Sequence, residues 1–245
     1  MPITVAHPAV VLPLRALGLP LTPLVVGATI PDLGLYVGAR EVYAFAHSPL
    51  GLVTWAPVVT VVVVALWFGV VRDALVGLAP VAVRARLDLH VRLGPRGWAW
   101  VPLGGVVGAL SHVAWDSFTH PGRWGWENVA WLAEQHGPLP GGKWLQYGSG
   151  VGGMLVVAVA AVLWLARRPA RPDVPSRATR LPLLEVAVAA ATLVAVGTAV
   201  RRVPEGLHAV AFDGVVTGCV ALVVALGVAT AGWHAARVRG VPDRG

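Results

Sequence analysis

The sequence predicts an all-α fold: a polytopic transmembrane helical bundle of about six membrane segments, the first of them part of a re-entrant helical hairpin. Three observations predict it. Of 245 residues, 56% are hydrophobic and only 13% are charged, where soluble domains carry roughly 25% charged residues. The mean hydropathy is +0.71. The apolar residues also fall into long uncharged runs, near the ~20 residues a helix needs to cross a bilayer, with the basic residues collected between them. The whole chain, 1–245, reads as one integral-membrane domain. Within it, 1–166 form the core that carries the polar residues, 167–180 a basic cytoplasmic loop, and 181–245 two further helices and a basic tail.

Each segment follows from local chemistry. Residues 1–20 are a poor secretory signal, because Arg15 interrupts the apolar stretch and Gly18, Pro20 and Pro23 follow. Ala9 to Leu17 is too short to span. With Gly18-Leu19-Pro20 as a turn, His7 lies twelve residues before Leu19 and Asp32 thirteen after it. At about 1.5 Å per residue the two arms match in length, so His7 and Asp32 reach similar depth. A short polar loop holds Arg40 and Glu41. Ser48 then suits a helix N-cap, with Pro49 at the first helical position. Leu50 to Val71 spans, 72–97 is an arginine-rich loop, Trp98 to Thr119 spans, and 120–147 is a loop rich in Gly, Pro and Trp. Gly148 to Ala166, Leu181 to Val200 and Ala209 to Gly232 are the remaining spans.

Charge placement orients this layout. Loops 72–97 and 167–180 and the tail hold thirteen of the nineteen Lys and Arg, which places them in the cytoplasm. This alternation, rather than a patch, also argues against nucleic acid as the partner of the net charge of +7 and for the lipid bilayer. The C-terminus is then cytoplasmic, and loops 39–47 and 120–147 face outward. Trp98, Trp100, Trp124, Trp126, Trp131, Trp144 and Trp233 lie near the predicted interfaces, as membrane belts require. Cys219 is the only cysteine, which excludes an intramolecular disulfide and a cysteine-based metal site. No Walker loop, dinucleotide-binding glycine pattern or Gly-x-Ser-x-Gly elbow occurs.

The chemistry concentrates in Ser111-His112-Val113-Ala114-Trp115-Asp116-Ser117-Phe118-Thr119-His120-Pro121. His112, Asp116 and His120 recur every four residues, so on a helix they share one face. Pro121 marks the helix end. A carboxylate in an apolar span costs roughly 2.5–3.5 kcal/mol on insertion scales, which calls for a metal ion or a buried polar network in compensation. In the orientation above, Asp32, His47, His112, Asp116 and His120 lie at one level near the outer face, and His7 joins them if the N-terminal hairpin is re-entrant. Imidazole and carboxylate are the ligands of Zn²⁺ and related ions. This many donors suffices for one or two ions, the latter common in phosphoester hydrolysis. His136 has no spacing that ties it to this group. Asp213 lies one turn inside its span, where Arg201 or Arg202 is the expected partner, and Glu185 has Arg180 nearby.

Met1-Pro-Ile-Thr-Val-Ala-His7-Pro-Ala, Pro31-Asp32, His47-Ser48, the segment His112 to Pro121 and Leu145-Gln146-Tyr147-Gly148-Ser149 resemble the bacterial membrane family called domain of unknown function 4184. The resemblance covers essentially the whole chain in order. More distantly, the chain is similar to membrane-bound metal-dependent hydrolases, which in turn resemble the His/Asp sites of zinc-dependent phospholipase C and P1 nuclease. The resemblance implies His7, Asp32, His47, His112, Asp116 and His120 as ligands. Tyr147 departs from the histidine the family favours at that position. Gln146 and Ser149 would support the ligands from outside.

These readings converge on metal-assisted hydrolysis of a phosphoester in a lipid or lipid-linked substrate at the outer face of a bacterial inner membrane. Asp32 and Asp116 are each candidates for ligand and for general base. Two other classes of function use the same residues. A metal-ion or proton transporter or sensor predicts polar residues continuing to the cytoplasmic face. A structural protein with an internal His/Asp hydrogen-bond network predicts a site indifferent to metal.

Overall fold

The computed structural model describes residues 4–174 and 182–238. Arg180, the expected neighbour of Glu185, and the last residues of the tail lie outside the described residues.

The chain opens with a 3-10 turn (Thr4–Ala6), helix α1 (Pro8–Val11) and a second 3-10 stretch (Pro13–Leu17). It reverses at Gly18, whose φ of 77° is left-handed and free of a Cβ penalty only for glycine. Helix α2 (Leu21–Gly27) returns, and a 3-10 turn (Ile30–Asp32) presents Asp32. The N-terminal hairpin read from the sequence is therefore present.

Short helices α3 (Leu33–Tyr36), α4 (Arg40–Ala46) and α5 (Pro49–Val53) follow. The expected polar loop at 39–47 is thus mostly helix, with Glu41 in the first turn of α4, where the helix dipole favours an acid. Ser48 caps α5 as its sequence indicates. The Gly51 amide donates to Ser48 Oγ at 3.0 Å, and Ser48 Oγ donates to the Phe45 carbonyl at 2.7 Å. Ser48→Ala is expected to cost about 1 kcal/mol, read as a lower midpoint in detergent unfolding.

The second span is displaced from its expected bounds. The helix breaks at Thr54 and resumes as α6 (Trp55–Leu66), a π-helical turn (Trp67–Val71) and α7 (Arg72–Leu78). Arg72 and Asp73 are therefore helical rather than in a loop, and they pair with each other at 3.1 Å. Short helices α8 (Val81–Arg84) and α9 (Pro95–Ala99) lead to α10 (Val101–Thr119). This helix stops at Thr119 with His120 extended, where Pro121 predicts the end. Helices α11 (Trp124–Asn128) and α12 (Ala130–Ala133) and a two-stranded antiparallel hairpin, β1 (Gln135–His136) and β2 (Leu139–Pro140), then precede α13 (Gly141–Ala166).

Helix α13 starts seven residues before the expected Gly148. A Cβ on Gly141 would run into Trp131, and one on Gly142 into Trp126. The two glycines thus let the helix begin hard against those rings. Helix α14 (Leu183–Arg201), a 3-10 turn (Val203–Glu205) and α15 (Leu207–Val238) complete the chain.

Among the described residues, four stretches are long and apolar enough to cross a membrane: Trp55–Leu78, Gly141–Ala166, Leu183–Arg201 and Leu207–Val238. They mark the chain as a membrane protein. Helix α10 has nineteen residues but carries the polar face.

The chain divides into two compact units. One comprises Met1–Val64 and Leu93–Leu163, the other Ala65–Arg92 and Trp164–Gly245. In the first, α2 lies directly on α10. A Cβ on Gly27 would overlap the backbone of Gly105, and one on Gly108 would overlap the backbone of Leu24, Gly27 and Ala28. Small residues at such spacing let helix backbones approach where lipid offers no hydrophobic drive. Val11, Leu19, Leu24 and Ala28 form one buried cluster there, and Ile30, Leu52, Ala56 and Ala109 another.

In the second unit α14 and α15 pack along Gly214 and Gly218, which face Ala199 and Ala195. Ala74, Leu78, Ala229 and Trp233 form the core. Asp73 accepts from Arg72, from Arg92 at 2.9 Å and from the His90 amide at 3.0 Å. Asp213 pairs with Arg202 at 2.7 Å, one of the two partners expected for it.

Candidate metal centre

The first unit brings His7, Asp32, His47, His112, Asp116 and His120 together. Three turns of backbone set the positions. The 3-10 turn after α2 delivers Asp32, the C-terminal end of α4 delivers His47, and one face of α10 delivers His112 and Asp116, with His120 at its end. His7, Asp32, His112 and Asp116 are all 97% or more buried.

Four of these residues form a tight group. One ligand atom each from Asp32, His47, His112 and Asp116 lies within 4.8 Å of all the others. His112 Nε2 is 3.5 Å from Asp32 Oδ1 and 3.4 Å from Asp116 Oδ2. His47 Nε2 is 3.7 Å from both of those oxygens. Donor atoms around a tetrahedral zinc ion at about 2.0–2.1 Å lie about 3.3–3.4 Å apart. Four of the six pairs in the cluster, at 3.4–3.7 Å, have nearly that spacing, and the other two lie within 4.8 Å.

The outer edges of the rings decide how the inner edges are protonated. His112 Nδ1 meets the Ala28 carbonyl at 2.9 Å, and His47 Nδ1 meets the Tyr43 carbonyl at 2.8 Å. A carbonyl can only accept, so both Nδ1 atoms carry the proton and donate it. Both rings turn Nε2 toward the carboxylates, where a neutral ring offers a lone pair. This backbone tether on the far nitrogen is the usual support of a metal-binding histidine. Consistent with it, His47 Nε2 and His112 Nε2 are buried and make no hydrogen bond. Asp32 is fixed in the same way, since Thr4 Oγ1 donates to its outer oxygen at 2.5 Å. Two carboxylates lie buried together, and among the described residues no lysine or arginine pairs with either. A divalent cation would balance that charge.

Asp116 presents its other oxygen, Oδ1, to a second pair of rings. His7 Nε2 is 3.7 Å away and His120 Nδ1 3.4 Å away. His7 stacks on His112 with ring centres 3.8 Å apart, and neither of its nitrogens has a hydrogen-bond partner.

His120 differs. Lys143 Nζ, which can only donate, gives its proton to Gln146 Oε1 at 2.8 Å. The Gln146 amide nitrogen therefore faces His120 Nε2, at 3.2 Å, and donates to it. That leaves the His120 proton on Nδ1, beside the Asp116 backbone carbonyl at 3.2 Å and Asp116 Oδ1. His120 in this state orients Asp116 rather than offering it a lone pair. Gln146→Leu removes that donor, and the zinc affinity of the cluster is expected to fall about 10–100-fold, the usual effect of losing an outer partner, as read by zinc titration.

Several neighbours had no clear signal in the sequence. Thr4 and Lys143 are common residue types at unremarkable spacing. Tyr43 is the i−4 residue to His47, and its ring packs on it at 4.1 Å. Ser149 accepts from Trp115 Nε1 at 3.2 Å. His136 stays with its own hairpin, bonded to the Trp131 carbonyl at 2.9 Å.

Fold and cluster together define a polytopic α-helical membrane protein with a buried His/Asp cluster able to hold a metal ion. No curated protein and no solved structure matches the chain. The family described as Domain of unknown function (DUF4184) matches residues 1–231, and the chain belongs to that family.

Proposed function

We propose that the cluster is a zinc-class metal centre and that the protein is a membrane-embedded hydrolase of a phosphoester in a lipid or lipid-linked substrate. One observation carries this reading: two tethered imidazoles and two carboxylates converge, with four of their inner atom pairs 3.4–3.7 Å apart and both imidazole Nε2 atoms buried without a hydrogen bond. A purely structural network would close those gaps, because each unmade bond to a buried polar group costs about 1–3 kcal/mol.

Asp32, His47, His112 and Asp116 hold the ion, and His7 with Asp116 Oδ1 offers donors for a second. A bound zinc-class ion lowers the pKa of a coordinated water to about 7 and polarises a phosphoryl oxygen. The chain supplies the remainder. Asp116 Oδ1, buried and without a hydrogen bond, would accept the proton of the attacking water in a one-ion site and would be a ligand in a two-ion site. His120 holds that carboxylate in place through the Lys143–Gln146 chain, and Asp32 is held by Thr4. The distribution of Lys and Arg supports a location of this centre toward the outer face of a bacterial inner membrane, with the C-terminus cytoplasmic.

Elemental analysis of the purified protein is expected to find at least one equivalent of a divalent first-row metal. Hydrolysis of bis(p-nitrophenyl) phosphate should stop with chelator and return with zinc. Protein that stays metal-free after incubation with zinc, or that carries zinc across proteoliposome membranes, overturns the proposal.

A further inference from the structure

A cavity of about 310 Å³ adjoins the metal centre, with His7 as a shared wall, near the lower end of the roughly 300–1,000 Å³ of ligand pockets. Its other walls include Ala6, Val10, Trp115, Gly152 and Val156, none of them charged. It lies along α13, a helix long and apolar enough to cross a membrane. Neighbouring Val151, Leu155 and Val159 are exposed on that helix.

Two adjacent glycines shape the cavity in opposite ways. A Cβ on Gly153 would press on Ala6, so this glycine seats the N-terminal turn against α13. A Cβ on Gly152 meets nothing within 4 Å, so this glycine leaves the space open. At the inner end sits His7, 97% buried with both ring nitrogens unpartnered. The feature thus joins an apolar channel beside lipid-facing surface to a polar, unsatisfied inner end.

We infer that this cavity seats one hydrocarbon chain of a membrane phosphoester lipid, with the phosphoester directed past His7 to the metal centre. The inference rests on the proposed hydrolase reading and names its substrate class. A chain passing from bilayer to cavity exchanges one apolar surrounding for another. The cavity therefore supplies position rather than affinity, holding the phosphoester in one place as proximity requires.

The test uses the full-length, zinc-incubated protein in lipid nanodiscs doped with phosphatidic acid carrying a photoreactive diazirine in one acyl chain. Illumination is expected to label the segments 6–10 and 152–156. Gly152→Leu, which fills the space without a clash at its Cβ, should reduce that labelling at least tenfold with metal content unchanged. Val156→Trp fills the same space from another side and should do likewise. Equal labelling in wild type and both variants, or labelling spread evenly over the exposed residues of α13, overturns the inference and leaves the metal centre standing. Specific labelling of a protein that binds no metal overturns the hydrolase reading while leaving the lipid seat in place.

Discussion

Asp116→Ala is expected to reduce bound metal below a tenth of an equivalent and to lower hydrolysis by about 10³-fold or more, beyond the 10–100-fold typical of outer-sphere changes. The reason lies in its two oxygens. Oδ2 stands 3.4 Å and 3.7 Å from the bare nitrogens of His112 and His47, and Oδ1 stands 3.7 Å from His7. Among the described carboxylates only Asp116 lies within 4 Å of rings in both halves of the cluster. Asp116→Asn preserves the shape and one carbonyl oxygen but removes the charge, so it is expected to lose metal as well. A structural hydrogen-bond network predicts the opposite, because an amide still bonds there.

Stability gives this prediction a second sign. Two buried carboxylates without a cation repel each other and are costly to desolvate. Metal-free Asp116→Ala should therefore unfold no earlier than metal-free wild type, whereas metal-loaded wild type should exceed both. Thermal unfolding in detergent with and without chelator, beside elemental analysis, reads both parts.

The second large effect is expected at Gly108. A Cβ there would strike the Leu24 carbonyl oxygen, the Ala28 amide nitrogen and the Gly27 carbonyl carbon. All three are backbone atoms, so no rotamer change relieves the overlap. Gly108→Val forces α2 away from α10 at a cost of about 3 kcal/mol or more, the upper end for overpacking. The same shift withdraws the Ala28 carbonyl from His112 Nδ1, so metal affinity should fall with stability. Gly148→Ala is the control. Its Cβ meets nothing, and the helix should gain up to about 1 kcal/mol. Unfolding midpoints of the two variants in detergent, set beside zinc titrations, measure the difference. Equal midpoints would show that α2 does not rest on α10 as described.

Much of this was legible before any coordinates. The four-residue spacing of His112, Asp116 and His120 requires a shared helical face, and Pro121 ends that helix. The near-equal arms about Gly18-Leu19-Pro20 bring His7 and Asp32 to one depth. Ser48-Pro49 announces a helix start immediately after His47. Where the sequence misled, short-range polarity was the cause. Arg40, Glu41, Arg72 and Asp73 read as loop residues by charge, yet they lie in helices: Glu41 suits the first turn of α4, and Arg72 and Asp73 pair with each other. The start of α13 was hidden because Gly141-Gly142 looks like a turn, and only the flat faces of Trp126 and Trp131 reveal why glycine is needed there. The protonation of the rings was out of reach altogether. It depends on the Ala28 and Tyr43 carbonyls and on the direction of Gln146, which are facts of three-dimensional placement.

The six clustered side chains come from positions as far apart as 7 and 120 in the chain. A cation gripped by Asp32, His47, His112 and Asp116 is therefore a cross-link. Like a disulfide, it closes long loops and so removes freedom from the unfolded chain. In the proposed metal-bound state that bond would add to the packing that seats the N-terminal hairpin on α10. Chelation should then loosen this segment first, opening it to protease while the helical pair α14 and α15 stays folded.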